Sequence, residues 1–107
     1  MTELRISRWA QALEGEFDSD RLRAKLEAAG YSVCAYTYPP GTCFPAHTHA
    51  VDKCDAVVSG RFEITCGAES VILEAGDMVF IPARTEHAAE VVGDEAIINL
   101  DGIVPDE

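Results

Sequence analysis

The chain has no apolar run approaching the roughly 20 residues that a membrane-crossing helix needs. Its first residues, MTELRISRWAQ, also lack the apolar core of an export signal. These two absences argue against a membrane partner and predict a cytoplasmic location. Basic residues are scarce: eight Lys and Arg stand against nineteen Asp and Glu, a formal charge of −11. Such a surface repels phosphate backbones and anionic membranes, so no nucleic acid is expected as a partner. The four cysteines, Cys34, Cys43, Cys54 and Cys66, contain no Cys-x-x-Cys pair. Neither a zinc knuckle nor a thioredoxin-type redox motif is supported, and reduced thiols used as small apolar residues are expected. At 107 residues and 48% hydrophobic content there is room for one core and no second.

Histidine is scarce as well, with only three in the chain. Two of them, His47 and His49, stand one strand period apart in the stretch GTCFPAHTHAVDKCDAVVSG, from Gly41 to Gly60, and should point to the same side of a sheet. Two imidazoles on one face make a metal half-site, since neutral imidazole is the commonest side-chain ligand for zinc, iron, nickel and copper. The third, His87, ends a second run, GDMVFIPARTEH. If this run returns beside the first, all three rings meet.

Around these runs the chain reads mostly as short strands. Residues 1–17 carry weak signals: Leu4 and Ile6 alternate with charged neighbours, and WAQAL is compatible with a helical turn. Asp18 or Ser19 caps a helix expected over about 19–29, with Leu22 and Leu26 on its buried face and Gly30 as its left-handed stop. Strands are expected at 31–38, 53–59, 61–66, 71–73, 78–82, 87–92 and 96–100, with turns at Pro39-Pro40-Gly41, Gly60, Gly67-Ala68, Gly76 and Gly93. The turn at Gly60 is expected to pair its flanking strands as a hairpin. The run 78–82 is apolar on both faces, so it needs a cover on each, one of them another element or a second subunit. A homodimer is the expectation that follows. Many short strands with regular turn signals argue for an all-β barrel or sandwich.

The two histidine runs resemble a known family. The first reads Gly41, five residues, His47-Thr48-His49, three residues, Lys53, six residues, Gly60; the second reads Gly76, five residues, Pro82, one residue, Arg84, two residues, His87. This is similar to the paired motifs of the cupins, double-stranded β-helix barrels that hold a divalent metal with three histidines and a glutamate. The resemblance implies one cupin domain over 1–107: an N-terminal extension over 1–30 whose short helix packs outside, a barrel over 31–101, and an acidic tail over 102–107. It implies His47, His49 and His87 as ligands of a divalent ion such as Fe, Zn, Ni or Mn. Two departures stand out: Lys53 occupies the place of the glutamate, and Arg84 a place where glycine is frequent.

By the same pattern Lys53 enters the barrel beside the metal, where a protonated ammonium repels a dication. Asp55, two residues on, shares its face and can hold it as an ion pair. Lys53 either anchors an anionic small-molecule ligand or forms a buried salt bridge that fixes the pocket. Lys53 and Asp55 are the candidate catalytic residues. Cys43 shares strand parity with His47 and is a candidate to reach the pocket, whereas Cys54 should face the helix or a subunit interface. Glu86 and Glu90 fall on the wrong face for a fourth ligand. Arg84 is a candidate to meet an anion at the pocket mouth, and Trp9, Tyr36 and Tyr38 are candidates to line it. Three functions remain open: a metal-dependent dioxygenase or isomerase acting on a small acidic metabolite, a non-catalytic binding or sensor module, and a metal-free barrel with residual histidines.

Overall fold

The computed structural model describes residues 4–104, so residues 105–107 of the expected acidic tail lie outside the described residues. Two short helices, α1 (Gln11–Glu14) and α2 (Ser19–Ala28), accompany nine strands. These are β1 (Arg5–Ser7), β2 (Ser32–Tyr38), β3 (Cys43–His47), β4 (Lys53–Ser59), β5 (Arg61–Cys66), β6 (Glu69–Leu73), β7 (Met78–Ile81), β8 (His87–Val92) and β9 (Ile97–Ile103). They form two antiparallel sheets, one ordered β1-β7-β4-β9-β2 and the other β3-β8-β5-β6. From β2 to β5 and again from β6 to β9 the chain changes sheet at every turn, which is the winding of a double-stranded β-helix.

Alternating side chains fill the space between the sheets. Val57, Val79, Ile81 and Ile97 from the first sheet meet Phe62, Ile64, Leu73 and Val91 from the second. A second, smaller core lies outside the first sheet, where Leu22 and Leu26 of α2 cover Cys54, Ala56 and Leu100. Both leucines are fully buried, worth about 1.5–3 kcal/mol each. The Asp18 carboxylate caps α2 by accepting from the Arg21 N–H at 2.8 Å, and Gly30 follows it at φ +99°. Cys54 faces the helix, in keeping with its parity.

Three elements add to or differ from what the sequence predicts. Residues 5–7, weak in sequence, form a real strand because β7 supplies the hydrogen bonds and Ile6 packs into the inter-sheet core. The outer face of β7 receives one of the covers expected for it, other elements of the chain, in part: half-buried Met78 packs against the α2 cluster and the Arg5 guanidinium lies 5.4 Å from the centre of the half-buried Phe80 ring.

The third concerns Gly60, which does not make a hairpin. It carries the chain from β4 in one sheet to β5 in the other, β4 pairing with β7 and β9, and β5 with β6 and β8. The reason lies in what the two strands need. β4 is buried on both faces over Lys53 to Val57, whereas β5 alternates between buried and more exposed positions, so they belong to differently covered sheets.

Gly60 sits at φ +84°, and a β-carbon there would lie 2.6 Å from the backbone oxygen of Ala96. Gly67 has φ +59° with nothing within 4 Å. Gly60→Ala should therefore cost roughly 2–3 kcal/mol in urea unfolding, and Gly67→Ala only about 1 kcal/mol. Equal losses would show that Gly60 is not a packed corner.

Candidate metal centre

β3 and β8 are neighbours, and their register sets His47 directly opposite His87. Getting there takes an irregularity. The register shifts between Phe44 and His47, so Pro45 and Ala46 both lie on the exposed side while Phe44 and His47 both turn inward. This bulge reverses the parity on which Cys43 was expected inside. Cys43 is exposed on the outer face, opposite Glu90, and does not reach the pocket.

His49 lies just past the end of β3, and its carbonyl accepts the Arg84 backbone N–H at 2.7 Å. This bond ties the first histidine run to the second. Arg84 makes it from φ +64°, the left-handed region that favours glycine. Its side chain is exposed in a separate depression with Glu69 and Glu86, so it does not meet an anion at the pocket mouth.

The three rings converge. Centroid distances are 4.4 Å for His47–His87, 4.7 Å for His47–His49 and 5.2 Å for His49–His87. One ligating atom from each lies within 4.8 Å of the others. Two rings are oriented by the backbone: His47 Nδ1 lies 2.6 Å from the Pro45 oxygen and His87 Nδ1 lies 2.9 Å from the Thr85 oxygen. A carbonyl only accepts, so each Nδ1 carries the hydrogen and each Nε2 keeps a free lone pair. Such bonds fix the tautomer of a metal-ligating histidine. His49 Nε2 is buried and has no hydrogen-bond partner. Burial, together with the Lys53 charge and the other two rings, pushes the His49 imidazole down to about 4. Burial likewise lowers His87, partly offset by its bond to Thr85. Three ligating atoms this close together and one orphaned ring nitrogen fit a divalent ion.

Beside the histidines is a cavity of about 170 Å³ lined by Tyr38, Phe44 and Phe62 on one side and by Lys53, Asp55, Asn99 and Asp101 on another. Lys53 Nζ lies 2.6 Å from Asp101 Oδ1 and 4.0 Å from Asp55 Oδ1. Burial opposes the Lys53 charge, but the two carboxylates outweigh it and hold the ammonium above its usual range. Asp55 is pushed upward by its own burial and by Asp101, against the pull of Lys53. One ammonium is thus met by two acidic groups, so its repulsion of a dication is largely cancelled.

Asp101 and Asn99 went unrecognised in the sequence, where Asn-Leu-Asp-Gly reads as the end of a strand and a turn. The legible signal was their two-residue spacing from buried Ile97. Of the aromatic candidates only Tyr38 lines the cavity. Tyr36 is half-exposed, and Trp9 packs edge-on against Phe17 beside Gly76.

The depressed His49 imidazole has a consequence for metal-free protein. Unfolded, the ring takes up its proton near 6.5; folded, only near 4. Acidification through that interval therefore favours the unfolded chain. His49→Gln should flatten the fall in melting temperature between pH 6.5 and pH 4.5, measured without metal. Parallel slopes for the two proteins would contradict the burial of this ring.

Comparison with known proteins agrees with this geometry. The family model described as "Cupin domain" matches residues 35–101, well over half of the chain. The uncharacterized protein SCO3923 of Streptomyces coelicolor is 37% identical over 62 residues, spanning 58% of this chain and 59% of that protein, under two thirds of its length. The conserved protein SPY1581 of unknown function from Streptococcus pyogenes superposes with a TM-score of 0.64 at 26% identity, covering 73% of this chain and 67% of that one. A chain from the crystal structures of the DMSP lyases RdDddP and RnDddQII superposes with a TM-score of 0.63 at 28% identity, over 70% of this chain and 38% of that one. With two antiparallel sheets, the histidines of both motifs brought together and the family match across the sheets, the chain belongs to the cupins.

Proposed function

We propose that this cupin holds one divalent metal ion on His47, His49 and His87 and catalyses an isomerase-type proton transfer on a small carboxylic acid. The observation that carries the reading is the convergence of three imidazoles, two oriented by backbone carbonyls, at a cavity that also contains Asp55. A divalent ion held there by His47, His49 and His87 would supply Lewis acidity toward oxygen donors of the acid.

The remaining roles belong to the chain's own groups. Asp55, lifted by burial towards the neutral range, is suited to take a proton from carbon and return it. Lys53, held by Asp101, keeps Asp55 in place and offsets its charge. Phe44 and Phe62 exclude water from the far wall. That a DMSP lyase shares the fold at 28% identity is consistent with an enzymatic use of such a barrel, although fold alone does not supply function. One observation favours a second reading, a non-catalytic binding module: Asp55 already faces Lys53, Asn99 and Asp101, partners that can hold it still.

Two measurements test this. Elemental analysis of protein purified without added metal should find close to one divalent ion per chain, and His47→Ala should lose it; a metal-free wild type would end the proposal. In D₂O, the metal-loaded protein should accelerate exchange of the carbon-bound hydrogens of a 2-oxo acid such as pyruvate, followed by NMR. Asp55→Asn should slow that exchange by about 100-fold or more while retaining metal. Binding of the acid without any exchange would select the binding module instead.

A further inference from the structure

Four aromatic rings form a continuous wall that leads from the inter-sheet core out to solvent. Phe62 is 4% exposed and meets Phe44 edge-on at 6.1 Å; Phe44 meets Tyr38 edge-on at 4.9 Å; Tyr38 stacks on Tyr36 at 5.9 Å with 18° between the planes. Tyr36, the outermost, is 44% exposed. Tyr36 and Tyr38 share the inner face of β2, opposite Asn99 and Ile97 of β9, and β2 is an edge strand. The wall therefore continues the cavity lining past its rim.

The charge pattern sharpens this. From Gly30 to Ala46 no side chain is charged, in a chain where 25% of residues are. That stretch supplies β2 and most of β3, one edge strand of each sheet. One side of the mouth is thus apolar and aromatic, while the other carries Lys53, Asp55 and Asp101. Asn99 is 4% exposed and its Oδ1 has no hydrogen-bond partner, so the polar side also offers an unused acceptor to a donor on the ligand. A large dianion is poorly matched, because the one cation in the cavity is already met by two carboxyl groups.

We infer that the ligand of this site is an aromatic monocarboxylic acid, its oxygen donors at the histidine cluster and its ring against Tyr38, with Tyr36 carrying whatever projects from the mouth. This rests on the proposed metal site and narrows its substrate class. Aromatic surfaces favour a flat partner through offset or edge contacts as well as through burial. A short aliphatic acid of the same head group would leave the wall wet and unused.

The test compares phenylpyruvate with pyruvate, which share the 2-oxo acid head and differ by the ring, by titration calorimetry on zinc-loaded protein of measured metal content. Phenylpyruvate should bind at least about tenfold more tightly. Tyr36→Ala, a surface change that leaves the core intact, should reduce that preference, and Tyr38→Leu should reduce it further. Equal affinities, no binding of either acid to zinc-loaded protein, or a preference that survives both substitutions would overturn the inference. Failure to retain zinc would instead bring down the metal site and this inference with it. Retained zinc and bound pyruvate with no gain from the ring would bring down this inference alone.

Discussion

The cross-strand pairing of His47 with His87 is the constraint on which the site depends. Strand neighbours are held a few ångströms apart by the backbone ladder, so two of the three rings need no further device to meet. The third is delivered by a single backbone bond, from the Arg84 N–H to the His49 carbonyl. The two rings tied to carbonyls of their own segments have fixed tautomers before any ion arrives. The centre is preorganised by main-chain hydrogen bonds, which are harder to lose by substitution than side-chain ones.

The polar wall depends on cover from outside. β4 carries Lys53 and Asp55 on its inner face, and burying such groups is tolerable only when they are paired. Pairing is supplied by β9, whose Asp101 stands opposite Asp55. The outer face of the same strands is sealed by Leu22 and Leu26, so water does not reach the network from behind. Helix α2, remote in sequence from the histidines, thereby helps set the dielectric in which the acidic groups and the ammonium interact.

Much of this was legible in the chain itself. The strand spans of β4, β5 and β8 and the α2 cap follow from alternation and turn chemistry, and the three histidines from their spacing. What was not legible has a common cause: each case depends on partners distant in sequence. The parity count that puts Cys43 inside assumes a regular strand, and the irregularity at Pro45 and Ala46 shows only in the pairing of β3 with β8. The Gly60 turn looks like a hairpin locally, yet the burial demands of β4 and β5 send them to different sheets. Asp101 acquires its role from Lys53, 48 positions away, and nothing in its own neighbourhood announces it.

The Lys53 network also bears on how this barrel can change over generations. Loss of Lys53 by itself would leave Asp55 and Asp101 facing each other without their ammonium, and loss of either aspartate would leave the ammonium short of a partner. The three positions therefore tolerate change together better than singly, since the ammonium and the two carboxylates compensate each other.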